Sequence, residues 1–379
     1  MSDTAKIAIG TAAGVPEAAL EQPKPFIRNS FGWLRANLFS SWVSCGVTLA
    51  LIYLVGRALV SAVQWGIVNA VWWVPDGQSQ PCRALRGIGA CWAVVTEKHR
   101  FILFGTYPFE QQWRPALAIT IFVALYVVSA TRRFWRKELA LIWVAALIAI
   151  GVLMWGGVAG LPYVPQERWG GLAVTLILAT FGLAFGFPLG VMVALGRRSG
   201  LPAIQAICIV YVELIRGVPL VSLLFMASVM FPLFLPDGIN IDKLLRAQIA
   251  IILFAGAYLA EVVRGGLQAL PKGQQEGADA LGLSYWQKTI LVILPQALRL
   301  VIPPLVNTFI GFFKDTSLVL IIGIFDLLTA AKTAITEPAW QAFGVEVYVA
   351  VGFIYFIFCF AMSRYSQRLE IELNRSRRP

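Results

Sequence analysis

Charge is the scarcest ingredient of this 379-residue chain. Only 13% of its residues are Asp, Glu, Lys or Arg, while 58% are hydrophobic. Soluble domains carry about 25% charged and about 45–50% apolar residues, so a water-exposed globule of this length is excluded. Histidine is nearly absent. The single His99, with one cysteine pair near it, offers no adequate ligand set, which removes a metal site from consideration. Cysteine is sparse, five in all. No Gly-x-x-x-x-Gly-Lys-Ser/Thr stretch occurs, so the chain handles no nucleotide phosphates through such a loop. No paired acid and base, and no nucleophile beside a base, stands out, which makes a membrane-embedded enzyme the weakest reading.

What the chain has is length without charge. Eight apolar stretches are long enough to count as spans: Trp42 to Val63, Pro115 to Ala130, Leu139 to Val158, Leu172 to Leu195, Val218 to Leu235, Ala247 to Val263, Leu298 to Phe313 and Val345 to Met362. They do not alternate as β-spans would, so the predicted class is an all-α polytopic membrane protein of about eight transmembrane helices. Asp315 to Gly323 forms a further apolar stretch, too short to span, and reads as re-entrant or interfacial.

The net charge of +11 invites a nucleic-acid reading until the cations are placed. With the N-terminus inside, 20 of the 31 Lys and Arg fall in inner segments and nine in outer ones, while Arg57 and Lys314 lie in spans. The charge encodes topology, with both termini cytoplasmic, and nucleic acid is not a partner. No removable leader is read at the N-terminus. The largest outer segment, Val71 to Arg114, holds Cys82 and Cys91 with eight residues between them. A bridge and a pair of free thiols are equally consistent with that spacing.

The inner segment between Val263 and Leu298 is the most informative. Gly282 suits a left-handed helix stop, and Glu276 sits where a carboxylate favours the helix dipole. Pro271 suits a first turn, and Ser284 and Gln287 have capping-box spacing. Two short helices at about a right angle are predicted. Small residues on the first, Gly277, Ala278 and Ala280, suit close docking in a groove on another protein; an ordinary solvated loop is the competing reading.

Glu276-Gly277-Ala278, three residues, Gly282, nine residues, Val292, one residue, then Leu294-Pro295 resembles the EAA loop of ABC importer permeases. Gly277 and Val292 depart from that pattern. Tyr211-Val212-Glu213-Leu214-Ile215-Arg216-Gly217-Val218-Pro219-Leu220, Tyr258 to Gly266, and Phe313-Lys314-Asp315-Thr316-Ser317-Leu318 resemble the permeases of polar amino acid importers of the histidine/glutamine type, over about Trp169 to Arg368. The preceding region resembles the extended permeases of proteobacterial general L-amino-acid systems. The resemblance implies a type I permease core in the last five spans and a translocation subunit for L-amino acids in the bacterial inner membrane, of broad specificity. It also implies a periplasmic binding protein, two ATP-binding subunits carrying ATP and Mg, and a related second permease in a heterodimer. No cofactor is expected on this chain. The implied domains are an N-terminal tail (1–40), an extension of about three spans with an outer loop (41–165), the permease domain (166–368) and a basic tail (369–379).

Site residues follow. Glu276, Gly277, Ala278, Asp279 and Gly282 are expected to couple to the ATPase. Thr308, Gly311 and Asp315 share one helical face at i, i+3 and i+7, and with Arg216, Thr316 and Ser317 they are the expected substrate route. Asp315 would meet a substrate ammonium, or else pair with Lys314 or cap the segment at Ser317. Arg216 would meet a carboxylate or a lipid phosphate. Glu261 and Arg264, three residues apart, can pair; Asn307 can hydrogen-bond across helices. An ion-coupled secondary transporter is the main competing class.

Overall fold

In the computed structural model, the described residues are 30–375 except Lys137, Ala159, Asp237 and Asn240. The last four residues of the expected basic tail and most of the N-terminal tail lie outside them. Among the described residues there are sixteen α-helices: α1 Ser30–Leu38, α2 Trp42–Val63, α3 Gln80–Ala84, α4 Ala93–Phe104, α5 Trp113–Ala130, α6 Glu138–Trp155, α7 Gly171–Gly196, α8 Pro202–Gly217, α9 Leu220–Phe225, α10 Lys243–Gln268, α11 Lys272–Ala280, α12 Tyr285–Gln287, α13 Leu294–Leu300, α14 Ile302–Asp315, α15 Leu327–Ala334 and α16 Gly344–Arg375. Among the described residues the only extended pairings are two isolated bridges, so the class is all-α.

Contacts divide the chain into two units, 1–68 and 69–379. In the first, Ser41 caps α2 by accepting from the Ser44 amide, and Thr48 donates to the Leu38 carbonyl. That bond ties α1 to α2 where the chain turns into the apolar run.

In the second unit, α7 and α10 pack most closely, and the reason is local composition. Gly182, Gly186 and Gly190 recur every four residues on α7. A Cβ on Gly186 would stand 2.9 Å from the Ala255 Cβ, and one on Gly190 would stand 2.8 Å from the Leu259 Cβ. Without a hydrophobic driving force inside a bilayer, this close approach of backbones is what associates two helices.

Among the described residues seven helices are long and apolar enough to cross a membrane: 42–68, 109–130, 138–155, 171–196, 243–268, 302–322 and 341–372. The expected span at Val218 to Leu235 is different. It is α9, a π turn at Met226–Met230 and a 3-10 turn at Phe231–Phe234, joined to α8 with a bend of 102°. Pro219 and Pro232 forbid a regular ladder there, and Arg246 donates to the Ser228 carbonyl inside the π turn at 2.5 Å. The pair counts as an eighth crossing only when both arms are taken together. The expected separate segment at Asp315 to Gly323 is also corrected. Thr316–Ile322 tightens into a 3-10 helix that continues α14, and Gly323 ends it at φ +68°. No proline breaks the chain there, so nothing separates it from the span before it.

The segment before α5 is stapled. Cys82 and Cys91 are disulfide-bonded with Cα atoms 5.5 Å apart, and the Cys91 amide donates to the Glu346 Oε1 of α16 at 3.0 Å. Arg83 donates to the Pro338 carbonyl at 3.0 Å, and Lys98 pairs with Glu337. Arg114, fully buried, donates to the carbonyls of Leu153 at 2.6 Å and Pro162 at 2.9 Å. A cation at the C-terminal end of α6 is favoured by the helix dipole, which accounts for a buried arginine with no carboxylate partner.

Candidate functional site: a coupling loop, a charge clasp and a polar face

The inner loop is built by backbone hydrogen bonding. α11 runs Lys272–Ala280, and Pro271 is its N-cap rather than a first-turn residue, one position before the expected start. At its end the Leu283 amide donates to the Ala278 carbonyl at 3.2 Å and the Gly282 amide to the Asp279 carbonyl at 2.9 Å. Gly282 sits at φ +70°. This is the Schellman arrangement, which satisfies the last carbonyls and requires a left-handed residue at the glycine. The capping box forms as its spacing predicts, Ser284 accepting from the Gln287 amide and the Gln287 Oε1 accepting from the Ser284 amide at 2.9 Å. The second helix is not a separate short element. α12 is one turn that passes into a π segment, Lys288–Ile293, and then α13. Pro295 lacks an amide and clashes with a regular preceding turn, and the widened π turn accommodates it.

Of α11 only Ala278 is buried. Glu276, Gly277 and Asp279 face outward, and a Cβ on Gly277 or Gly282 would meet nothing within 4 Å. Asp279 pairs with Lys288 at 2.6 Å and Gln274 with Gln296 at 2.9 Å, so α11 is held to the following helix at both ends. Beside it Leu281 is 80% exposed, and Trp286, Ile290 and Leu291 are exposed with it. An apolar group of this size next to a polar helix marks an interaction surface.

Glu261 is the hub of the second feature. Its Oε2 accepts from Arg197 Nη1 at 2.8 Å and from Arg264 Nε at 3.0 Å; its Oε1 pairs with the Arg264 Nη2, and Arg216 Nη1 lies 3.7 Å from Oε2. Arg197 also reaches Glu213 at 3.5 Å. The expected Glu261–Arg264 pair is therefore part of a clasp joining the C-terminal ends of α7 and α8 to α10. The neighbouring Arg198 donates to the Leu267 carbonyl at 3.0 Å, one turn before α11. Arg197, absent from the sequence-based site, carried no signal, because its partner is 64 residues away.

The third feature is the face of α14. Asp315 is half-buried, its carboxylate makes no side-chain cap, and it is in no ion pair among the described residues. Lys314 and Asn307 are exposed at membrane depth. Thr308 donates to the Pro304 carbonyl at 2.8 Å, Thr316 to the Phe313 carbonyl at 2.8 Å and Ser317 to the Lys314 carbonyl at 2.8 Å. These bonds satisfy the hydroxyls locally and leave Asp315 as the face's unspent acceptor. Gly311 has nothing within 4 Å of a built Cβ, so the turn above Asp315 is open.

At the end of the bundle opposite the loop, a cleft of about 140 Å³ is lined by Glu167, Trp169, Asp242, Lys243 and Ile324. Asp242 caps α10 there. Nearby, fully buried Asp326 caps α15 through the Leu328 and Thr329 amides and takes the Thr329 hydroxyl. Burial pushes its carboxyl above the usual range, and these hydrogen bonds offset part of that rise.

Residues 186–373, which hold the loop, the clasp and the polar face, match the family described as binding-protein-dependent transport system inner membrane component. Along almost the whole chain the likeness is closer. The inner membrane amino-acid ABC transporter permease protein YhdY of Escherichia coli is 46% identical over 94% of this chain and 97% of its own. This chain belongs to that permease family. The glutamate/glutamine/aspartate/asparagine transport system permease protein BztC of Rhodobacter capsulatus is 36% identical over 91% of this chain and 94% of its own. A solved amino acid ABC transporter crystallised with histidines covers 53% of this chain and 92% of its own at 32% identity, with a TM-score of 0.48. The chain is thus a multi-pass inner membrane permease subunit of an ABC importer and not itself an enzyme, and the ion-coupled alternative finds no support.

Proposed function

We propose that this permease carries L-amino acids from a periplasmic binding protein to the cytoplasm, with ATP and Mg held by two partner subunits. The observation that carries the reading is the exposed α11, pinned at both ends and flanked by Leu281, Trp286, Ile290 and Leu291. A helix fixed to its own chain on one side and bare on the other is built to be pushed by a partner. Glu276, Gly277, Ala278, Asp279 and Gly282 form the coupling element, with both termini and this loop on the cytoplasmic side, as the excess of inner cations supports. A related permease completes the pore as a heterodimer. The division of the chain into a tail, a three-span extension from 41 to 165 and a permease domain from 166 to 368 belongs to the same reading.

Asp315 receives the substrate ammonium. It is a half-buried carboxylate in no ion pair among the described residues, with only the adjacent Lys314 charge to offset its burial in an apolar span, a costly placement that a cationic ligand relieves. Thr308, Gly311, Thr316 and Ser317 shape the adjoining route, and the small Gly311 leaves room for varied side chains. The test is a cysteine at exposed Gln274, probed with a short bifunctional reagent in native membranes. Crosslinking to an ATP-binding subunit is expected, and its absence with a full complement of subunits present would overturn the coupling assignment.

A further inference from the structure

We infer that Arg216 and Glu261 form a latch that sets the bend between α8 and α9. The inference rests on the coupling reading of α11 above and goes beyond it, by naming the contact through which movement of α10 reaches the rest of the bundle. The three arginines on Glu261 are not equivalent. Arg264 is on Glu261's own helix and reaches the Glu213 carboxylate of α8 only through space, while Arg197, at 2.8 Å and well shielded, anchors α7. Arg216 is the loose member, 3.7 Å away with a third of its side chain exposed. It is also the residue immediately before the break at Gly217, Val218 and Pro219, where the chain turns by 102°.

Two further contacts give the latch a direction. The Arg216 guanidinium lies 5.4 Å from the Tyr258 ring, one turn before Glu261 on α10. Tyr258 meets Phe312 edge-on at 6.2 Å, and Phe254 meets the same ring at 5.9 Å. Phe312 lies on α14, three residues before Asp315. One arginine thus touches the charge that α10 carries and the aromatic layer behind the substrate face. At the other end of the clasp Arg198 holds the Leu267 carbonyl, so a displacement of α11 pulls on α10 within two turns of the hub. A partly exposed ion pair with a cation–π contact is weak enough to break during a transport cycle and strong enough to bias two states. With α8 held by Arg197 on Glu213 at 3.5 Å and by the Tyr211 hydroxyl donating to the Leu253 carbonyl at 2.5 Å, the part left to move is the bend beyond Arg216 into α9.

The experiment uses the whole complex in nanodiscs, with Cys45, Cys208 and Cys359 replaced and spin labels at Ile207 on α8 and Leu233 beyond α9, both exposed. Electron–electron distances report the bend, and ATP hydrolysis without binding protein reports coupling. The latch predicts that Arg216→Gln introduces a second distance population and raises unstimulated hydrolysis about fivefold, the effect expected of one partly exposed pair. Arg364→Gln on α16, an exposed arginine over the Phe360 ring and outside the clasp, leaves both readings at the wild-type value. Two results overturn the latch: wild-type distances in Arg216→Gln, or equal changes in Arg216→Gln and Arg364→Gln, which would mean a general loss of packing. Should Arg216→Gln fail to accumulate, Arg216→Lys keeps the charge but loses the planar contact with Tyr258 and is read the same way. Gly282→Pro separates the two claims. If it uncouples while Arg216→Gln leaves the bend unchanged, the latch falls and the coupling helix stands; if the bend responds and Gly282→Pro stays coupled, the coupling reading falls and the latch stands.

Discussion

Substitution of Gly282 isolates the backbone's part in coupling. Its φ of +70° lies in the left-handed region, and a Cβ added there meets nothing within 4 Å. Any effect of Gly282→Ala is therefore conformational and not steric. The left-handed region costs an L-residue about 1–2 kcal/mol, which shifts a local equilibrium by about 5–30-fold. Asn tolerates that region better and should cost less. Proline is different in kind. It fixes φ near about −65° and removes the amide that Gly282 donates to the Asp279 carbonyl at 2.9 Å, so the Schellman turn cannot form. Coupling, measured as amino acid imported per ATP hydrolysed in proteoliposomes, is expected to fall in the order Gly, Asn, Ala, Pro. The turn is at the surface, so the variants should reach the membrane at wild-type levels. Wild-type coupling in the proline variant, or a deeper loss in Asn than in Ala, would refute the reasoning.

Four other substitutions probe separate parts of the molecule. Glu276→Lys leaves α11 folded, because Glu276 pairs with nothing among the described residues, and is expected to lower uptake while ATP hydrolysis continues; equal loss of both activities would count against a docking role. Asp315→Asn removes a charge-assisted partner and should raise the apparent KM for uptake about tenfold without changing the amount of assembled complex, and unchanged kinetics would reject it as the ammonium partner. Gly186→Leu inserts a side chain where a Cβ already approaches Ala255 at 2.9 Å, and should lower the apparent Tm of the purified complex by several degrees, as overpacking by about 1–3 kcal/mol does. Asp326 gives a pH signature. Its carboxyl is raised in the folded state, so its contribution to stability is complete below the unfolded value of about 4 and is lost as pH rises through the folded value. Asp326→Asn should flatten that part of the Tm–pH profile; a parallel profile would show that another group sets it.

Local chemistry was legible in the sequence, and long-range pairing was not. Gly282, Ser284 and Gln287 act within a few residues of one another, so their spacing alone specifies the helix stop and the capping box. The Glu261–Arg264 pair is likewise a matter of helical spacing. Arg197 and Arg216 reach the same carboxylate only because α7 and α8 end beside α10, and no local pattern encodes that. Hydropathy windows average over composition and miss continuity. They read Val218 to Leu235 as one regular span, although Pro219 caps α9 and Pro232 opens a 3-10 turn after the π turn, and they split Thr316–Ile322 from α14 although nothing interrupts the chain. The fourfold spacing of Gly182, Gly186 and Gly190 was present as a signal for close helix packing, and would have paired α7 with a partner helix.

The central claim is that partner-driven ATP hydrolysis moves an amino acid through this chain. Its most direct measurement is uptake of labelled L-glutamate and a panel of competing amino acids into proteoliposomes holding the permeases, the ATP-binding subunits and the binding protein. Uptake is expected to require enclosed ATP and binding protein and to persist when ionophores collapse the sodium and proton gradients. Uptake driven by either gradient without ATP would contradict it.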